Sequence, residues 1–435
     1  MHARLKKPAA QQSGAPLASR YNVFMTTSIT TTFKTDVCIV GNGAIAKTAA
    51  LGFAQAGHSV TLLVPPARPV PEPAAGVSSA ADKPWDVRVY ALNHTAHSLL
   101  ASLKVWGALD LARVQAVDAM DIRGDGEQGG NLGFDAFGAH VGTLAWIVED
   151  SNLNQALDAA LKFSHNVHVL TGCAAGLTCG EPGAAVRLED GRKIDCELVV
   201  GADGRESWVR GQCDIGVDYR MYHQRAIVTN FACDKPHHGV AYQWFTCADG
   251  IIALLPLPGN RVSLVWSAPE TLADTLMDES LGEMAIRLAE YAEDKLGALR
   301  PLQPEDVKAV PLALVRPHAI TAPRVALVGD AAHAVHPLAG HGMNLGFADL
   351  VDLLDAIRER EERRGIADER VLARYARKRK EDVLLMQIAT DGLERLFGAN
   401  LEPLRVVRNF GLNLLDKLPS VKRRLMAHAM GKTTL

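Results

Sequence analysis

The sequence predicts a mixed α/β fold with a parallel-sheet unit, a separate antiparallel sheet and helices at the C-terminus. The first observation is a strand, a glycine turn, a helix and a second strand in succession over residues 35–64. The second is a run of short β-rich segments over 217–268, which is typical of antiparallel strands. The third is a short apolar strand, a glycine-rich loop and a helix over 324–357.

The composition is ordinary for a globular enzyme of two or three lobes. The 435 residues are 48% hydrophobic and 22% charged, and the net charge of −3 gives no reason to expect nucleic acid as a partner. The seven cysteines are scattered and lack a CxxC pair, which favours a reducing compartment. No apolar run approaches the ~20 residues that a membrane span needs. We therefore expect a cytoplasmic protein.

Residues 1–34 are rich in Ala, Pro, Ser and Thr and show no periodicity. We predict that they form a disordered N-terminal tail, since they cannot bury enough apolar surface to order the chain. Met25 is an alternative start site, and a peptide from before Met25 in the native protein would reject it.

The motif GNGAIA follows the first predicted strand at Gly41 to Ala46. Gly41 permits the tight turn, and Gly43 lets the backbone approach a pyrophosphate at the start of the helix. Ala46 takes the place of the third glycine of the dinucleotide fingerprint. The second strand ends at Val64, where an acidic residue usually binds the adenosine ribose. The pattern predicts a Rossmann-like dinucleotide site, and the alternative is a glycine turn in another α/β unit.

Two later places repeat the strand, acidic tip and helix pattern. Asp203 and Gly204 follow a buried strand and precede a helix, and Gly329 and Asp330 follow another. A carboxylate at a strand tip can accept hydrogen bonds from a sugar-like hydroxyl chain, and a helix start can face an anionic group. The loop after Asp330 contains Pro337, Gly340 and Gly342, and a helix is predicted from Met343 and Asn344. The alternative for each place is an ordinary strand-to-helix turn.

Arg88 precedes a predicted helix, where it is placed to reach a pyrophosphate; the alternative is a solvated surface arginine. In the β-rich region, aromatic residues cluster at Tyr242, Trp244, Phe245 and Trp266, and the candidates for a substrate wall are Trp244, Phe245 and Pro256. Core packing accounts for most such clusters, and the functional alternative is a wall for a flat, apolar substrate.

Together GNGAIA, GADGRESWVR at 201–210 and GDAAHAVHPLAGHGMNLG at 329–346 resemble the flavin-dependent aromatic hydroxylases of the group A monooxygenases. More narrowly, the sequence is similar to the ubiquinone-biosynthesis hydroxylases. The narrower resemblance rests on DVRVYALNHTAHSLLASLKVWGAL, LAWIVEDSNLNQAL, AYQWFTCADGIIALLPLPGNRVSLVW and LPSVKRRLMAHAMG. It extends over residues 35–431, which is nearly the whole chain.

The resemblance implies FAD as cofactor, NAD(P)H as a transient reductant, and O2 and a prenylated phenol as substrates. It implies an FAD-binding lobe built from the separate segments 35–215 and 321–360, a substrate-binding β-sheet lobe at 216–320 and C-terminal helices at 361–435. Carried over by position, the cofactor-binding residues are Gly41, Gly43, Ala46, Arg88, Asp203, Gly204, Gly329, Asp330, Pro337, Gly340, Gly342, Met343 and Asn344. No general base is assigned, and the candidates at the flavin edge are Pro337, Gly342, Met343 and Asn344.

Three positions depart from the family pattern. Trp244 stands where relatives tend to have arginine, His341 where glutamine is usual, and Val64 where an acid is usual. The flavin motif accounts for the spacing of His333, His336 and His341, so we expect no metal site there.

The leading hypothesis is therefore an FAD-dependent monooxygenase that hydroxylates a prenylated phenol in ubiquinone biosynthesis. The alternatives are a flavin hydroxylase of another aromatic metabolite and a non-catalytic scaffold in a quinone-biosynthesis complex. The segment 401–435 carries seven Lys and Arg residues against two acidic ones. It is a candidate for peripheral contact with the inner membrane face or a partner protein, and the alternative is a basic helix packed on the body.

Overall fold

The computed structural model describes residues 31–66, 84–125, 129–303, 306–334 and 341–398, without the side chains of 341, 385 and 387–398. The strands in these ranges are β1 Thr32–Lys34, β2 Val37–Val40, β3 Val60–Val64, β4 Val89–Leu92, β5 Val114–Val117, β6 Ala119–Arg123, β7 Asn131–Asp135, β8 Ala145–Glu149, β9 Val167–Thr171, β10 Ala174–Cys179, β11 Ala184–Leu188, β12 Lys193–Cys196, β13 Leu198–Gly201, β14 Val217–Cys233, β15 Val240–Phe245, β16 Ile251–Leu257, β17 Arg261–Pro269, β18 Leu299–Pro301, β19 Lys308–Pro317, β20 Thr321–Ala322 and β21 Val325–Leu327. The helices are α1 Ala44–Gln55, α2 His94–Ser102, α3 Asp150–Lys162, α4 Trp208–Gln212, α5 Glu270–Asp278, α6 Leu281–Leu296, α7 His341–Arg358 and α8 Glu369–Gly398.

The central sheet has the strand order β20-β21-β13-β2-β3-β9 and is parallel except for β20. Both of its faces are covered, as parallel sheets require. On β2, Ile39 packs into the core shared with α1, α3 and α7, whereas Cys38 packs on the opposite side. The strands come from widely separated parts of the chain, so the predicted lobe of discontinuous segments is confirmed.

The second large sheet has the order β18-β14-β17-β16-β15-β6-β7, and β19 pairs with β14. Its pairs are antiparallel except for β15 with β6. The helices α5 and α6 cover one face through a core that includes Trp266 and Met284. Helix α6 begins with a capping box between Ser280 and Glu283, which explains where this helix starts. The predicted separate antiparallel sheet is confirmed.

Two smaller sheets complete the fold. One has the order β4-β8-β5 and contacts the second large sheet through an apolar cluster with Ala91 on β4 and Ala241 on β15. The other has the order β1-β12-β11-β10. The β4 sheet therefore packs against the sheet that contains β15, and α2 follows β4 in the chain.

Two boundaries differ from the sequence prediction. The prediction of a disordered tail over residues 1–34 is wrong for residues 32–34. These residues form β1, which pairs in parallel with β12, and Phe33 packs on the core. The expected cofactor lobe 35–215 is not one unit either. Its strands β6 and β7 join the second sheet, because β6 pairs with β15 more than a hundred residues later.

Several predictions lie outside the described residues. They concern Pro337, Gly340, the remainder of the tail at 1–30 and the basic segment 401–435. Every helix in the described part of the chain is too short or too polar to cross a membrane.

Candidate cofactor site and active site

The three motifs meet at one edge of the central sheet. The strands β2, β13 and β21 are adjacent and parallel, with Gly201 opposite both Val40 and Leu327. Backbone hydrogen bonds continue past the strand ends, from Ala202 N to Val40 O at 2.9 Å and from Val328 N to Gly201 O at 2.9 Å. The carboxyl edge of a parallel sheet is where α/β proteins bind nucleotides. The ends of three strands from distant parts of the chain thus lie at one edge, with Gly201 between Val40 and Leu327.

The first motif makes a tight turn that leaves the start of α1 open. Gly41 has φ of +143°, and a β-carbon there would lie 2.2 Å from the carbonyl oxygen of Ala202. Gly43 is the N-cap of α1, and a β-carbon on it would meet nothing within 4 Å. No side chain caps this helix, and its first turn has no acidic residue. The positive end of α1 therefore faces open space beside Gly43.

Ala46 is fully buried in the first turn of α1, so any contact with a ligand there is through its backbone. Its methyl group is close to the turn, since a β-carbon on Gly41 would lie 3.2 Å from it. Gly346 on α7 shows the same close packing, because a β-carbon there would lie 2.9 Å from Ile45. Small residues at these positions bring α1 and α7 together beneath the site.

Arg88 is exposed immediately before β4 and belongs to a charged group at this edge. Its guanidinium carbon lies 5.5 Å from the ring centroid of Tyr90. The Tyr90 hydroxyl donates to Asp150 Oδ1 at 2.7 Å. Burial raises the pKa of Tyr90, Arg88 opposes this rise, and the negative charges of Asp150 and Asp330 add to it. Asp330, from the third motif, is therefore an electrostatic neighbour of Tyr90. Tyr90 was not singled out from the sequence, although its spacing of two residues from Arg88 places both side chains on the same side of an extended chain.

The backbone before Arg88 is held by a buried carboxylate. Glu149 is fully buried, accepts from Asp86 N at 2.7 Å and pairs with Arg113 at 2.7 Å. The Asp86 carboxylate accepts from the N–H of Arg88 at 3.0 Å, and Asn230 of the second sheet donates to Asp86 O at 3.0 Å. These contacts fix the position of Arg88 relative to both sheets.

In the second motif, Asp203 organises the turn. Its carboxylate accepts from the Ser207 hydroxyl at 2.5 Å and from Val209 N at 3.0 Å, at the start of α4. Gly204 has φ of +85°, and a β-carbon on it would meet nothing within 4 Å. The buried Arg210 donates to Ala331 O at 3.1 Å, which connects the second motif to the third.

In the third motif, Gly329 has φ of +61° and Asp330 is exposed at the end of β21. At the start of α7, the Asn344 side chain donates to Ala91 O at 2.8 Å and accepts from Asn93 N at 3.0 Å. Met343 is half-buried against the central core. Asn344 therefore fixes the start of α7 against β4 and α2. Gly342, beside it, has open space where a β-carbon would stand.

The predicted substrate wall is not one wall. Side chains of a strand alternate between its two faces. Trp244 packs on the face covered by α6, with the Tyr291 ring at 6.0 Å, whereas Phe245 lies on the opposite face with Leu132. Pro256 pairs with Val262 and so shares the face of Trp244. Trp244 and Tyr291 line a cavity of about 340 Å³ on that face, together with Arg123, Gly124, Asp125, Thr246, Glu290 and Asp294.

The described residues fit a flavin dinucleotide. The open helix start at Gly43 and the exposed guanidinium of Arg88 suit a pyrophosphate, and the exposed carboxylate of Asp330 suits a polyhydroxyl chain. Open space lies beside Gly43, Gly204 and Gly342, where side chains would otherwise intrude. The protein groups at this sheet edge are therefore of the kinds that bind phosphate and hydroxyl groups.

Comparison with known proteins defines the class first. Residues 160–386 match the family model described as an FAD binding domain, which is more than half of the chain. Among solved structures, PqsL, a probable FAD-dependent monooxygenase from Pseudomonas aeruginosa, has a TM-score of 0.69 at 23% identity, covering 87% of this chain and 100% of that chain. The p-nitrophenol 4-monooxygenase PnpA from Pseudomonas putida has a TM-score of 0.70 at 18% identity, covering 93% and 100%. These two likenesses show the shared fold.

The chain belongs to the FAD-dependent aromatic hydroxylases, within the group of ubiquinone-biosynthesis hydroxylases. It is 33% identical to the 3-demethoxyubiquinol 3-hydroxylase of Escherichia coli, over 91% of this chain and 98% of that protein. It is 34% identical to the ubiquinone hydroxylase UbiL of Rhodospirillum rubrum, over 92% and 90%. The predicted family and the predicted enzyme class are confirmed.

Proposed function

We propose that this chain is an FAD-dependent monooxygenase that uses NAD(P)H and O2 to hydroxylate the aromatic ring of a prenylated phenol in ubiquinone biosynthesis. The observation that carries the proposal is the convergence of the three motifs at one sheet edge, with Ala202 between Gly41 and the end of β21. The relatives named for ubiquinone hydroxylation match nearly the full length of the chain, which supports the substrate class.

In this proposal the cofactor lies along the edge from Gly43 to the start of α7. The N–H groups at the start of α1 and the Arg88 guanidinium hold the pyrophosphate. The Asp330 carboxylate accepts hydrogen bonds from the ribityl hydroxyls. The start of α7, at Gly342 to Asn344, faces the pyrimidine edge. The cofactor lobe then comprises 35–215 without β6 and β7, together with 321–360.

When bound, FAD would supply the redox chemistry: with two electrons from NAD(P)H, one oxygen atom of O2 would enter an aromatic C–H bond as a hydroxyl group and the other would leave as water. The chain contributes binding, orientation and electrostatics. Negative charge at the flavin pyrimidine is stabilised by the N–H groups at the start of α7. We assign no general base. We propose that NAD(P)H binds only transiently, because the sequence shows a single glycine fingerprint with its strand and helix, and this one is taken by FAD.

In this proposal the aromatic substrate lies between the start of α7 and the face of the second sheet that carries Phe245. Two contacts support this placement. Asn344 joins α7 to Ala91 of β4, and β4 packs on Ala241, which shares the Phe245 face of β15. Trp244 and Pro256 lie on the other face and are left out of the proposed substrate wall.

The first experiment purifies the full chain and records its absorbance spectrum. We expect a yellow protein with a flavin spectrum, which oxidises NAD(P)H faster when a prenylated phenol is added. A protein that stays colourless and cannot be reconstituted with FAD would support the scaffold alternative. A flavoprotein that responds only to other aromatic compounds would support the second enzyme alternative.

The second experiment measures the quinone-intermediate profile of a strain that lacks the protein. Accumulation of one under-hydroxylated prenylated phenol is expected, and its structure identifies the ring carbon. An unchanged profile would refute the quinone assignment even if flavin chemistry were demonstrated.

Peripheral contact through 401–435 with an anionic membrane surface is also part of the proposal. The support is the basic charge of the segment and the long apolar tail of the proposed substrate. Co-sedimentation with anionic vesicles at moderate salt tests it. Binding that persists after deletion of 401–435, or no binding at all, would reject it.

A further inference from the structure

A buried ionic group lies directly beneath the third motif. His333, Asp349 and Arg379 are 2%, 0% and 1% exposed. They come from three elements: the residues after β21, the middle of α7 and the long helix α8. Burying two full charges is costly, and apolar side chains of similar volume are often as stable or more so. Stability alone therefore does not explain why these charged side chains are buried here.

The Asp349 carboxylate contacts both ends of the turn that presents Asp330. Its Oδ2 accepts from Gly329 N at 2.8 Å, one residue before Asp330, and lies 2.7 Å from Nε2 of His333, three residues after it. Because a carboxylate can only accept, Nε2 of His333 carries the proton in this contact. One side chain thus fixes the turn from both sides.

Helix α8 takes part through Arg379. Its Nε donates to the other oxygen of Asp349 at 2.6 Å, and an Nη lies 3.2 Å from Asp352. Burial alone would raise the pKa of Asp349, but His333, Arg379 and the Gly329 N–H together hold that pKa below its ordinary value. The carboxylate is therefore ionised in the folded protein at neutral pH.

The residue after His333 connects the same turn to the second sheet. Ala334 forms an antiparallel bridge with Val315 on β19, through hydrogen bonds of 3.0 and 3.1 Å. A shift of the turn would therefore require either the bridge or the contacts of Asp349 to break.

We propose that Asp349 is a positioning residue for the cofactor: it holds the turn Gly329–Ala331 so that Asp330 faces the ribityl chain, and through Arg379 it makes α8 part of the cofactor site. This inference rests on the proposed placement of FAD against Asp330. A positioning role differs from a purely structural one, because substitution of Asp349 should then weaken FAD binding more than it destabilises the fold.

The test compares Asp349→Asn with Asp352→Asn in the full-length chain. Both residues are buried acids on α7 that pair with Arg379, but the contacts of Asp352 are to Arg379 and Lys378, away from the turn. We expect Asp349→Asn to raise the FAD dissociation constant at least about tenfold and to change the visible circular dichroism of bound flavin. Asp352→Asn should stay within about twofold of wild type, with its bound-flavin spectrum unchanged.

A second pair of variants applies if Asp349→Asn does not fold. His333→Leu removes the donor to Asp349, whereas His333→Gln keeps an N–H of similar reach. We expect the FAD dissociation constant to rise in His333→Leu and to recover in His333→Gln. The inference is overturned if the variants lower the melting temperature of the apo-protein but bind FAD as wild type does. It is also overturned if Asp352→Asn weakens FAD binding as much as Asp349→Asn. A wild-type chain that binds no FAD would instead refute the proposed function.

Discussion

The carbonyl oxygen of Ala202 occupies the space that a side chain on Gly41 would need. A β-carbon at position 41 would lie 2.2 Å from that oxygen, and Gly41 has φ of +143°. The first and second motifs are therefore in backbone contact, and glycine is required at position 41 for two independent reasons: space and conformation.

Gly41→Ala is expected to destabilise the apo-protein by about 3 kcal/mol, because steric overlap with Ala202 adds to backbone strain. Urea unfolding of the apo-protein measures this change. Gly43→Ala is the matched control, since a β-carbon there meets nothing within 4 Å. We expect it to leave the unfolding free energy nearly unchanged while weakening FAD binding. Equal stability of the two variants would contradict the account of Gly41.

Arg88→Gln should weaken FAD binding about tenfold and reduce the dependence of that binding on salt, because a charge-assisted contact with the pyrophosphate is lost. The local backbone should persist, since Asp86 and Asp150 contact the main chain of Arg88. Titration of the apo-protein with FAD at two salt concentrations measures the effect. Arg358→Gln, an exposed position at the end of α7, is the control and should bind FAD as wild type does.

Trp244→Ala should lower the unfolding free energy by about 3 kcal/mol or more, because a buried aromatic ring is removed from the core beneath α6. The kcat/KM of the folded fraction should stay close to wild type, since Trp244 lies on the far face of the sheet. Phe245→Ala is the contrasting variant and should raise KM for the phenol. A large fall in kcat/KM for Trp244→Ala, with stability unchanged, would return Trp244 to the substrate wall.

The lowered pKa of Asp349 predicts how stability depends on pH. A carboxyl whose folded pKa lies below its ordinary value of 3.8 stabilises the fold above that value, and the contribution is lost as pH falls through the lower folded pKa. The charged and titratable groups around it are His333, Arg379 and Tyr375. The difference in unfolding free energy between wild type and Asp349→Asn should be constant above about pH 5 and shrink in stronger acid. A difference independent of pH would contradict an ionised Asp349.

The sequence was sufficient for the two kinds of sheet, because strand, glycine turn and helix are local patterns with fixed geometry. The convergence of the three motifs was expected only from the resemblance to a known family, since no local pattern joins segments so far apart. The sequence did not predict on which face of the sheet the Trp244 side chain lies. On β15 nearly every side chain is buried, so alternation of polar and apolar residues gives no indication of direction. The parallel pairing of β6 with β15 was missed because nothing local specifies a partner so distant in sequence.

The ionic group beneath the third motif was also beyond sequence reasoning. Asp349 lies on a helix among apolar residues, and its partner Arg379 follows 30 positions later on another helix. An acid in such a helix is usually interpreted as solvent-exposed, and only packing reveals that it is buried. Tyr90 could have been identified from the sequence, because its spacing of two residues from Arg88 places both side chains on one side of an extended chain.

The most direct measurement of the central claim is isotope transfer during turnover. The purified full-length chain, supplied with FAD, NAD(P)H, a prenylated phenol and isotopically labelled O2, should place one labelled oxygen atom on the aromatic ring for each NAD(P)H consumed, as read by mass spectrometry. NAD(P)H consumption without labelled product, or a hydroxyl oxygen derived from water, would contradict the proposed monooxygenase.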